Sequence, residues 1–61
     1  MIRIETKTLK FWEQSYEKFD LAEIAFKYNI SLKATRKAIF EGLAQSYVVE
    51  SINEYFKNKK K

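Results

Sequence analysis

The sequence predicts a small, mostly α domain of three to four helices, and three observations predict it. Only one glycine and no proline interrupt a chain that is 46% hydrophobic and 16% aromatic. Apolar residues recur at spacings of three and four over most of its length, the signature of one-sided helices. Capping side chains stand ahead of several of these runs. A length of 61 residues fits a single domain, 1–61, closed by a basic tail at 57–61.

Residues Ile2 to Glu5 alternate apolar and charged, which fits a short N-terminal strand. From Leu9 onward, Leu9, Trp12, Tyr16 and Phe19 make one stripe of a first helix, with Phe11 on its flank. Asp20 followed by Glu23 reads as a capping box opening a second helix, whose buried face is Leu21, Ile24, Ala25 and Tyr28. That helix ends at Asn29, a residue type that tolerates the left-handed conformation. Ser31 caps a third helix with Leu32, Thr35, Ala38, Ile39 and Leu43 on its apolar side and Lys33, Arg36 and Lys37 on the other. Gly42 falls where this helix stops. The Val48–Val49 pair then permits a short β wing over Ser46 to Glu50, a continuous helix being the alternative. Ser51 with Glu54 is a second capping-box pattern, opening a last helix that packs Ile52, Tyr55 and Phe56.

Composition excludes several functions. With no cysteine and no histidine, the chain has no thiolate nucleophile, no imidazole base and no zinc-finger ligand set. Asp20 and Glu23 are explained by capping without a cleft, so no enzyme activity and no cofactor are expected. No apolar run approaches the ~20 residues of a membrane-spanning helix. Met1 to Thr8 alternates apolar with polar or charged residues where a signal peptide would carry its apolar core. A cytoplasmic chain with no membrane partner is expected.

The formal charge of +4 is unevenly spread. Residues 1–26 sum to −1 and residues 41–56 to −3, whereas 27–40 carry Lys27, Lys33, Arg36 and Lys37 with no acid and sum to +4. Lys57, Lys59, Lys60 and Lys61 return another +4 at the end. An acid-free basic block beside a basic tail is the footprint of a polyanion binder.

Asp20 to Leu43 joins these features. A short helix, a three-residue turn and a helix with exposed cations are the grammar of a helix-turn-helix, in which Ala25 must be small, Asn29 takes the turn and Ile30 plugs the angle between the helices. The run Ile24-Ala25-Phe26-Lys27-Tyr28-Asn29-Ile30-Ser31 resembles the family pattern I-A-x-x-Φ-(G/N)-(V/I)-S. Ile39-Phe40-Glu41-Gly42-Leu43, a short extended stretch, and Ser51-Ile52-Asn53-Glu54-Tyr55-Phe56 extend the likeness to the excisionase and MerR-like winged helix-turn-helix family, as does Trp12-Glu13 ahead of the motif. The segment between Gly42 and Ser51 is too short for the family's full two-stranded wing.

The resemblance implies a small regulator of a phage or mobile element that binds double-stranded DNA, placing the helix 31–42 in the major groove for recombination or transcription control. The candidate DNA contacts are Lys27, Ser31, Lys33, Arg36, Lys37, Lys57, Lys59, Lys60 and Lys61. Arg36 suits a bidentate guanine contact, the lysines suit phosphates, and Ser31 and Thr35 could touch phosphate or serve only as cap and packing. A recombinase or repressor, and cooperative self-association on DNA, are the implied partners. The aromatics Phe11, Trp12, Tyr16, Phe19, Phe26 and Tyr28 have helical periodicity and are expected in the core. The competing function is a small protein-binding regulator using an exposed aromatic surface. A ribbon-helix-helix dimer reading DNA with Ile2 to Glu5 would need one helix running through Asp20, longer than that fold uses.

Overall fold

The computed structural model describes residues 1–59. Its elements are β1 (Ile2–Arg3), α1 (Thr6–Ser15), α2 (Asp20–Lys27), α3 (Leu32–Arg36) continued by a π-helical turn (Lys37–Glu41), β2 (Leu43–Ala44) and α4 (Ser46–Lys59). The domain is mostly α, as expected, with one short antiparallel ribbon. In it Ile2 stands opposite Ala44 and Arg3 opposite Leu43, and the Ile4 N–H donates to the Gly42 carbonyl at 2.8 Å. The ribbon clasps the start of the chain to the end of the π turn, and Ile4 then points into the core.

The core forms where α1, α2 and α3 meet α4. Trp12 is buried, its indole N–H donates to Asn53 Oδ1 at 2.7 Å, and its ring stacks on Phe56 with centroids 6.3 Å apart. Ile24 from α2 and Ala38 from the π turn fill the centre with Val48 and Ile52 from α4. Thr35 is buried too, and its hydroxyl donates to the Ser31 carbonyl at 3.0 Å, so its polar atom is not orphaned.

Several expectations change. The strand over Ser46 to Glu50 does not form, because this segment is the start of α4. The Gln45 carbonyl accepts from the Val48 and Val49 N–H groups at 3.0 and 3.1 Å. Val48, Ile52, Tyr55 and Phe56 are all buried at helical spacing, so burial along one helical face outweighs the β preference of the valine pair. The extended residues are Leu43 and Ala44, whose partner is β1, and no two-stranded wing stands among the described residues. The N-terminal strand covers Ile2–Arg3 only, since Glu5 already adjoins α1.

Ser51 lies inside α4 and starts no helix, its hydroxyl donating back to the Tyr47 carbonyl at 2.9 Å. The first helix ends at Ser15, before Tyr16 and Phe19. Phe19 is 76% exposed and Phe26 90%, so two of the aromatics expected inside are outside. Leu32 is half-exposed, whereas Thr35 and Ala38 on the same helical run are buried.

The Asp20 and Glu23 capping box does not form either. α2 does begin at Asp20, but its carboxylate accepts from the Glu17 N–H at 2.8 Å, from the Tyr55 hydroxyl at 2.8 Å and from Lys59 Nζ at 2.5 Å. Glu23 accepts a second contact from the Tyr55 hydroxyl at 3.1 Å. A residue expected at the surface of a helix end is the polar anchor of the last helix.

Candidate nucleic-acid interface

The turn between α2 and α3 is built as its sequence predicts. Asn29 adopts φ 56°, in the left-handed region, and the Ile30 N–H donates back to the Ala25 carbonyl at 3.0 Å. Ile30 is 6% exposed and fills the corner between the helices. The Ser31 hydroxyl oxygen accepts from the Ala34 N–H at 3.1 Å, capping α3, and its own proton stays available to an acceptor. At the far end Gly42, at φ 73°, closes the π turn by donating to Ala38 O at 3.2 Å. A Cβ there would lie 3.1 Å from Leu9 Cδ1.

Between these two left-handed residues, α3 and its π turn present one open groove of about 520 Å³ lined by Leu32, Lys33, Arg36, Lys37, Phe40 and Glu41. Lys33 and Arg36 are exposed and Lys37 is half-buried. Among the described residues the ion pairs all belong to Lys59, so the three cations of the groove are uncompensated by any internal partner. Glu41 is the one acid on its rim. π-helical turns recur at functional sites, and this one carries Lys37 and Phe40.

No family model, curated protein or solved structure matches this chain. The groove combines the cations Lys33, Arg36 and Lys37 with the apolar side chains of Leu32 and Phe40 and the single acid Glu41.

The other candidate residues are scattered. Lys27 sits with its Nζ 5.7 Å from the Tyr28 ring centroid and 6.0 Å from that of Tyr55. It lines a shallow hollow with Glu23, Asn58 and Lys59, not the α3 groove. The acid-free block of the sequence is therefore split in space. Lys57 is exposed on the last turn of α4.

Lys59 serves the fold itself. Its ammonium pairs with Asp20 and, at 3.7 Å, with Glu17, and it donates to the Ser15 carbonyl at 2.8 Å. Lys60 and Lys61 lie outside the described residues.

Asp20, Lys59 and Tyr55 perturb one another. Burial pushes the Asp20 carboxyl up, but the hydrogen bonds from Lys59, Tyr55 and the Glu17 N–H prevail and hold it below the usual carboxylate range. Burial pulls the Lys59 ammonium down, and the Asp20 hydrogen bond and charge reverse that and raise it. Burial, followed by hydrogen bonding to Asp20 and Glu23, drives the Tyr55 phenol well above its ordinary range. Sequence reasoning missed this cluster. The available signal was Tyr55 and Lys59 at i and i+4 on one face of a helix, but nothing local points from there to Asp20.

Proposed function

We propose that this chain is a sequence-preferring double-stranded DNA-binding protein, of excisionase or transcription-regulator type, that lays α3 and its π turn in the major groove. The observation that carries the reading is the row Lys33, Arg36 and Lys37, uncompensated and side by side on the outer face of the second helix of a helix-turn-helix. Arg36 has the planar fork that matches guanine O6 and N7, whereas Lys33 and Lys37 act as point charges on flanking phosphates. Lys57 adds an outlying phosphate contact, while Lys59 is withdrawn from the set by Asp20.

A domain with 4606 Å² of surface places only about 600–1,000 Å² on DNA. Useful occupancy therefore calls for cooperative neighbours or for a recombinase or repressor bound alongside. A two-dimensional amide NMR titration with duplex DNA at two salt concentrations tests the reading. Shifts concentrated at residues 31–41, weakening steeply with salt, are expected.

A second reading has its own support. Phe19, immediately before α2, is 76% exposed and Phe26 on α2 is 90% exposed, and exposed aromatics are typical anchors of protein interfaces. Absence of any duplex-induced shift at ~50 mM salt, with Phe19 and Phe26 required for capture of a protein partner, would favour that interaction module.

A further inference from the structure

The groove on α3 holds two apolar side chains, Leu32 and Phe40, beside its cations. Leu32 is 49% exposed and Phe40 is 60% exposed, whereas Thr35 and Ala38 on the same helical run are buried. They flank Arg36 at i−4 and i+4 and line the same groove with it. The wider i→i+5 turn at Lys37–Glu41 keeps Phe40 on the side of Leu32 and Arg36. Phe40 is further held by an edge contact to Tyr16, with ring centroids 5.8 Å apart.

A protein surface covering Leu32 and Phe40 would have to desolvate the three cations between them, which is costly without matching acids. The DNA major groove offers both chemistries at once. Phosphates and guanine edges meet the cations, and the thymine C5-methyl is the one apolar group displayed among the base edges.

The geometry points to Leu32 as a thymine reader: its side chain contacts a thymine C5-methyl in the major groove while Arg36 reads a guanine nearby. This rests on the DNA-binding reading and adds the composition of the site. Four residues of helix advance about 6 Å, which is roughly two base-pair steps of DNA. The preferred sites therefore carry a thymine about two base pairs from the guanine that Arg36 requires. Leu32 is a specificity residue here, with Phe40 closing the other end of the groove.

The test uses the full chain and a duplex it selects from a randomised pool at ~50 mM salt. Each thymine of that duplex is replaced in turn by deoxyuridine, which removes only the methyl group. One replacement, about two base pairs from the guanine whose preference is lost in Arg36→Ala, is expected to weaken binding about fourfold, the equivalent of ~0.8 kcal/mol for one buried methyl. The Leu32→Ala variant, checked for folding by circular dichroism, is expected to bind the thymine and deoxyuridine duplexes equally. Wild-type binding that is indifferent to every replacement overturns the thymine assignment and leaves DNA binding intact. An equal loss in wild type and Leu32→Ala shows that another group reads the methyl, and likewise overturns it. Failure to select any duplex removes the DNA-binding reading and this inference together.

Discussion

The Asp20 carboxylate and the Tyr55 hydroxyl, 35 positions apart in the chain, meet at 2.8 Å in the interior. This contact joins the start of the helix-turn-helix to the last helix, and Lys59 completes it from one turn further along α4. The position of α2, and with it the angle at which α3 is offered to a ligand, therefore depends on a polar cluster far from the groove.

Asp20→Asn is expected to cost about 1.5–3 kcal/mol, the worth of a hydrogen bond to a charged group, because Lys59 loses the nearer of its two counter-ions and Tyr55 its shorter acceptor. Urea denaturation at neutral pH measures it. Tyr55→Phe, which keeps the ring and its packing on Phe56, is expected to lose less.

Stability should fall at both ends of the pH scale. Asp20 is depressed in the folded chain, so its contribution is present above the ordinary carboxylate value of about 3.9 and is lost as pH drops through the folded value. Tyr55 is raised, so its contribution is complete below the ordinary phenol value of about 10 and disappears as pH climbs beyond it. Thermal melts across pH would show the acid limb flattened in Asp20→Asn and the alkaline limb flattened in Tyr55→Phe.

Arg36→Ala is expected to cost ~1–3 kcal/mol on the preferred duplex and to flatten sequence preference, whereas Lys37→Ala weakens all duplexes nearly equally. Competition binding against random DNA separates the two. Equal losses on specific and random duplexes for both variants would remove Arg36 from base reading.

Lys57 and Lys59 should behave differently despite their shared charge. Lys57→Ala is expected to reduce the salt dependence of DNA binding by about one phosphate contact and leave the melting temperature unchanged. Lys59→Met is expected to lower the melting temperature, since it strips Asp20 of its ammonium and frees the Ser15 carbonyl. A melting temperature that does not move in Lys59→Met would deny the anchor role.

Gly42→Ala is expected to destabilise by about 1–2 kcal/mol from the left-handed backbone alone, with the 3.1 Å approach of Leu9 adding to it. Chemical denaturation checks the value. Asn29→Gly should be tolerated, because glycine adopts the same conformation without a Cβ penalty.

The sequence by itself determined whatever depends on neighbours along the chain. Asn29 and Gly42 turn because few residue types take a positive φ. Ser31 caps because its oxygen reaches an N–H three residues on, and Lys33, Arg36 and Lys37 share a face because helical spacing puts them there. Tertiary structure decided what depends on partners distant in sequence. Asp20 became an anchor instead of a cap because Tyr55 and Lys59 arrive from α4, and Val48 and Val49 became helix because Trp12, Ile24 and Phe56 share the core that their helical face completes. Lys27 was drawn away from Arg36 because α2 turns it toward Tyr55. For the valine pair a β preference of at most about 1 kcal/mol met burial of large side chains worth about 1.5–3 kcal/mol each, and for Asp20 a helix cap worth about 1 kcal/mol met hydrogen bonds to a charged group worth about 1.5–3 kcal/mol.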